Sequence, residues 1–214
     1  MSGVRPASEV IKIIVSHALA ADQTTKHPPI QSRRPSLLGV GVIIWLGSEF
    51  MFFSGIFAAF FTLRAHAPTW PPPGIKVHLL EPTVFTLVLV ASLFTMRYAT
   101  WGEEHGSRLI MRRGTLLTLA LGSAFLADQA YTWTSVAFKP STNAYGSLFF
   151  IMTGVHGIHI IAGLLVMAVL LFRMTGVAGD PGELAVIQSV SYYWYFVVVV
   201  WVGMYACLYL LSMR

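Results

Sequence analysis

Charge and sulfur are what this 214-residue chain has least of. Only 11% of its residues are Asp, Glu, Lys or Arg, against about a quarter in an ordinary soluble domain, too few to cover a water-facing surface. A single cysteine, Cys207, lies in an apolar stretch, so an internal disulfide, a thiolate zinc site and a CxxC redox pair are all excluded. No internal repeat is present, which argues against a transporter assembled from inverted halves, and low complexity is confined to three consecutive prolines. The formal net charge of +5 comes from fourteen Lys and Arg scattered over tails and short loops rather than gathered on one face. Such a distribution signals membrane topology, and nucleic acid is not an expected partner.

What is present in abundance is apolar surface: 56% hydrophobic residues and a mean hydropathy of +0.69. A membrane-crossing helix needs about 20 apolar residues, and five runs meet that length, at 37–63, 82–101, 114–137, 145–172 and 185–211. The expected fold is an all-α integral membrane bundle over residues 37–214, preceded by a cytoplasmic tail over 1–36. Between the first two runs lies APTWPPPG, whose prolines cannot extend a helix and whose Trp70 suits a membrane interface. GEEHGSRLIMRR, FKPSTNA and RMTGVAGDPGE form the other connections. With the N-terminus inside, the inner segments carry 10 Lys and Arg and the outer ones 4, so N-inside and C-outside is the expected orientation. The apolar stretch at 10–20 is too short to span, and no cleaved leader is expected there.

A few polar residues fall inside the apolar runs, and each needs a reason, because an ionisable group at the bilayer centre costs about 2.5 to 3.5 kcal/mol on insertion scales. Glu49 lies twelve residues past Leu37, roughly 18 Å in at 1.5 Å per residue. His156 lies at a similar depth in another run, and Asp128 is fourteen residues into the third. His156 and His159 are three apart and flanked by Gly154 and Gly157, which allow a neighbour's backbone to come close. A membrane haem takes axial histidines from two helices, yet His17, His27, His66, His78 and His105 all fall in tails or loops by these boundaries. Haem and metal are therefore not expected in this chain. Glu49, His156, His159 and Asp128 read instead as a buried hydrogen-bonded polar cluster, with Glu49 bonded to His156, to another helix or to a lipid headgroup. A proton relay would need such groups to reach both surfaces, and these gather at one depth.

Four motifs carry a resemblance: WLGSEFMFFSG from Trp45, WPPPG from Trp70, AYGSLFFIMTGVHGIHIIAGL from Ala144, and VSYYWYFVVVVW from Val190. Together they resemble subunit III of the haem-copper oxidases, the cytochrome c oxidase family, in its five-helix bacterial form. The resemblance implies a subunit of a respiratory terminal oxidase in a bacterial cell membrane that has no haem or copper of its own. It also implies phospholipid in a cleft between helices and packing against subunit I, with subunit II in the same complex and haem and copper in those partners. Arg64 and Arg97 are the candidate cations for lipid phosphates, and Phe53 and Trp133 the candidate rings for lipid tails. Three positions depart from the family pattern: Tyr195 and Val198 stand where the last motif usually has His and Asp, and Thr132 stands where the third helix usually has Glu. Asp128, four residues earlier, shares a helix face with Thr132, as if the carboxylate had moved one turn. Two other readings are an accessory protein of a nitric oxide reductase, which is similar in sequence, and a free-standing proton-coupled transporter using Glu49 and Asp128.

Overall fold

The computed structural model describes residues 37–73, 75, 79–174 and 183–213. The tail over 1–36, together with Lys76, His78 and Arg214, lies outside them. The described chain is helical, with no strand among the described residues: α1 (Leu37–His66), α2 (Leu80–Glu104), α3 (Arg108–Ser135), α4 (Ala144–Arg173) and α5 (Glu183–Tyr205), the last continued by a π-helical turn at Ala206–Leu210 and a 3-10 turn at Leu211–Met213. All five helices are long and apolar enough to cross a membrane. This is a multi-pass membrane protein.

The helices run past the apolar windows that announced them, because hydropathy marks what sits in hydrocarbon whereas backbone hydrogen bonding continues into the interface. His66, expected in a loop, lies in the last turn of α1, where its Nδ1 sits 2.8 Å from the Thr62 carbonyl. The charged stretch after Trp101 is mostly helix too, and only His105, Gly106 and Ser107 separate α2 from α3. Gly106 has φ of 68°, and Ser107 N–H bonds to the Gly102 carbonyl at 2.8 Å while Gly106 N–H bonds to Glu103 at 2.9 Å. That is a Schellman turn, which needs a residue without Cβ at the left-handed position. α3 stops at Ser135 because Val136 is already extended, with φ −67° and ψ 137°. α4 starts at an N-cap, Asn143, whose side-chain oxygen accepts from Gly146 N–H at 2.7 Å.

α2 and α3 form a tight hairpin. A Cβ built on Gly114 would come within 2.7 Å of the Ala99 backbone, so the two backbones touch in the way small residues permit between membrane helices. The close approach expected at Gly154 and Gly157 is not where the helices are tightest: a Cβ on Gly157 would meet nothing within 4 Å.

α5 is the most buried helix and α1 the least, with 56% and 11% of their apolar windows covered. Trp194 and Trp201 of α5 face α2, and their indole N–H groups donate to Ser92 and Thr86, each at 2.9 Å. Trp133 of α3 donates to Thr153 of α4 at 3.0 Å. Each bond satisfies a donor that has no water to turn to in hydrocarbon. Carbonyls of the two terminal turns are met by side chains: Leu208 by the Tyr145 hydroxyl at 3.0 Å, Cys207 by Ser212 at 3.3 Å, and Leu211 by Arg64 at 2.9 Å.

Candidate functional site

α1 meets α4 and α5 around Glu49. Glu49 Oε2 lies 3.2 Å from His159 Nε2, and His159 Nδ1 lies 2.8 Å from the Val155 carbonyl. A carbonyl only accepts, so Nδ1 carries a hydrogen. Each of the two ionisable groups thereby has a partner inside the bilayer, which lowers the insertion cost. The surroundings fix the geometry: Phe53 sets its ring edge to His159 at 5.0 Å, Tyr193 donates its hydroxyl to the His159 carbonyl at 2.8 Å, and Trp45 stacks on Tyr193 at 5.4 Å. The side chains of His159 and Glu49 remain 15% and 20% exposed.

The structure divides the expected four-residue cluster. Glu49 pairs with His159, not with His156. Three residues advance an α-helix by about 300°, so the two imidazoles point some 60° apart. The one turned to α1 finds the carboxyl, while the other is enclosed by α3 and α5. His156 is 0% exposed, stacks on Trp201 at 5.1 Å and meets the Phe125 ring edge at 6.2 Å. Neither of its ring nitrogens has a hydrogen-bond partner among the described residues. Asp128 belongs to a third place, on α3 near Glu81 of the first turn of α2. Among the described residues no three His, Cys, Asp or Glu side chains converge as metal ligands would.

The residues expected to hold lipid also separate. Arg64 and Arg97 lie at opposite ends of the bundle, since α1 and α2 are antiparallel, and cannot share one headgroup. Arg64 donates to the Leu211 carbonyl, pinning the end of the last helix to α1. Arg97 is the freer cation: it reaches Thr100 at 3.2 Å and Glu104 at 3.5 Å, with its side chain 60% exposed. Phe53 is 2% exposed and packed between His159 and Phe196, which leaves no ring face for a lipid tail. Trp133 keeps 40% exposure beyond its bond to Thr153.

The departing positions fall in three different surroundings. Tyr195 faces Thr100 and Arg97 of α2, and Val198 is 0% exposed in the core. Thr132 lines a cavity together with Glu81, and Asp128 lies one turn earlier on the same helix. Glu81 carries little signal in the sequence, because it lies where the proline loop becomes helix. Its only signal was an acidic residue in a first turn, followed by Pro82.

Comparison with known proteins matches this architecture. The family described as "Cytochrome c oxidase subunit III" matches residues 24–213. A relative from Nocardia farcinica named "Probable cytochrome c oxidase subunit 3" is 41% identical over 180 residues, covering 82% of this chain and 89% of its own. "Cytochrome c oxidase subunit 3" of Corynebacterium diphtheriae is 36% identical, covering 84% and 90%, and that of Thermostichus vulcanus is 31% identical, covering 91% and 94%. With five spanning helices in order and matches along most of its length, the chain belongs to the cytochrome c oxidase subunit III family.

Proposed function

We propose that this chain is the non-catalytic subunit III of a respiratory haem-copper terminal oxidase in a bacterial cell membrane. In this reading it packs against subunit I, shares the complex with subunit II, and holds structural phospholipid, with haem and copper confined to the partners. The observation that carries it is the family match over residues 24–213. The geometry agrees in kind. The conspicuous polar group at mid-depth, Glu49–His159, is a pair braced by its own neighbours, an arrangement suited to holding three helices in register.

The transporter alternative asked Glu49 and Asp128 to act together, and their partners are different residues on different helices, His159 and Glu81. The relatives bear oxidase names, and nothing observed favours the nitric oxide reductase reading over them. The test is purification in mild detergent from the native membrane. The chain is expected to emerge with haem-bearing subunits, and the separated chain to show no haem bands in its optical spectrum. Isolation as a lone protein that moves a solute in vesicles overturns the proposal.

A further inference from the structure

His156 is fully enclosed, and among the described residues neither of its ring nitrogens has a hydrogen-bond partner. Gln129 of α3 is 5% exposed, and its Nε2 is likewise without a partner. Buried polar atoms are almost always met by protein or by ordered water, and the hydrocarbon around a membrane bundle supplies neither. Two such side chains in one bundle call for a reason.

Register brings them together. α3 and α4 run antiparallel, and their contacts fix how they lie: Gly122 against Leu164, Phe125 against His156, and Trp133 against Thr153. Gln129 is one turn from both Phe125 and Trp133 and falls between them around the helix, at about 100° per residue. It therefore comes level with His156 and Gly157. Gly157 is buried, and it lies about 100° round α4 from His156, on the side where Thr153 and Gly154 touch α3. Nothing lies within 4 Å of where its Cβ would stand, so even a methyl there would touch nothing, whereas a Cβ on Gly154 would be 3.3 Å from the Trp133 ring. Room and unmet polar atoms coincide between the same two helices.

The polar neighbours are already engaged. Thr153 donates to the Phe149 carbonyl at 2.6 Å and accepts from Trp133, and the Trp201 indole, stacked on His156, gives its N–H to Thr86. A metal ion does not fit, because no three His, Cys, Asp or Glu side chains converge among the described residues. The space beside one glycine suits a molecule of about 30 Å³, the share of a single water, and an apolar gap would stay dry where one with polar partners holds water.

We propose that α3 and α4 enclose an ordered water at this level, accepting from the Gln129 amide and donating to the bare nitrogen of the His156 ring. A neutral imidazole has one such acceptor nitrogen. The water forms a second polar link between the two helices, one turn along α3 from the Trp133–Thr153 bond, and holds the His156 ring in its stack on Trp201. The inference does not depend on the chain's being an oxidase subunit.

The direct test is a water-resolving map of the wild-type protein, purified in mild detergent with whatever subunits accompany it. One discrete peak is expected about 2.7 to 3.2 Å from both Gln129 Nε2 and a His156 nitrogen. Absence of the peak overturns the proposal, and so does a Gln129 amide turned to bond His156 directly. Thermal unfolding supplies a second reading, by its sign. In a hydrated site Gln129→Met and His156→Phe each leave the water a partner short and lower the melting temperature. The double variant then loses less than the two single losses together, because both act on one water. In a dry site each variant replaces an unmet polar group by an apolar one of similar size, and the melting temperature rises. A rise in both single variants overturns the proposal, and the wild-type map decides it where a variant does not assemble.

Discussion

At the scale of residues, a carboxyl and an imidazole lie 3.2 Å apart, with the other ring nitrogen committed to a carbonyl. This makes Glu49→Gln a mild change, because the Gln amide can donate to His159 Nε2. Glu49→Ala leaves that nitrogen unmet at a cost of about 1 to 3 kcal/mol. The Gln variant is expected to assemble with near-normal oxidase turnover, and the Ala variant to give less assembled complex with a lower melting temperature. A fully assembled Gln variant that has lost turnover assigns Glu49 a proton-handling role instead. The two arginines give a second contrast. Arg64 is committed to the Leu211 carbonyl, whereas the Arg97 side chain is 60% exposed and holds only a 3.5 Å pair with Glu104, which at such exposure contributes little. Arg97→Ala is therefore expected to lose a bound phospholipid in mass spectrometry of the delipidated complex. Arg64→Ala is expected to retain lipid and to loosen the C-terminal turn, read as faster amide exchange at 206–213. Equal lipid retention in wild type and Arg97→Ala removes Arg97 as a lipid site.

At the scale of elements, the five helices were legible because a run of about 20 apolar residues has few other uses, and the depth of Glu49 followed from counting rise. Partner choice was not legible. Whether Glu49 meets His156 or His159 turns on a difference of about 60° around α4 and on which helix packs there, and neither is written in spacing. The same holds for glycine. Gly154 and Gly157 stood out beside the histidines, yet the close contact is at Gly114 against Ala99, since only the partner backbone decides which small residue is needed. Gly114→Ala forces a Cβ to within 2.7 Å of the Ala99 backbone, and overpacking of this kind costs about 1 to 3 kcal/mol. Gly157→Ala meets nothing within 4 Å and gains about 0.5 to 1 kcal/mol of helix preference. Thermal unfolding of the assembled complex should therefore show Gly114→Ala destabilised and Gly157→Ala unchanged or improved. The reverse order means that the α2–α3 hairpin is looser than its geometry indicates.

At the scale of the whole molecule, the two ends of the bundle differ in charge. Arg108, Arg112, Arg113 and Arg173 lie in the end turns of α3 and α4 on one side, with Arg97 two turns from the end of α2, while Arg64 and Lys139 mark the other side among the described residues. Acidic residues lie at both ends, Glu103, Glu104 and Glu183 on the first side and Glu81 and Asp128 on the second, so the asymmetry is one of basic residues. Because positive loops are retained on the cytoplasmic face, the α2–α3 turn should lie inside and the α3–α4 turn outside. The chain's one cysteine makes this directly measurable: Cys207 is buried at 5% exposure, and Cys207→Ser leaves a background free of thiols. On it, His105→Cys marks the α2–α3 turn and Ser141→Cys the α3–α4 turn, both at exposed positions. A membrane-impermeant maleimide added to intact cells should label Ser141→Cys at once and His105→Cys only after the membrane is opened. Labelling in the opposite order inverts the orientation.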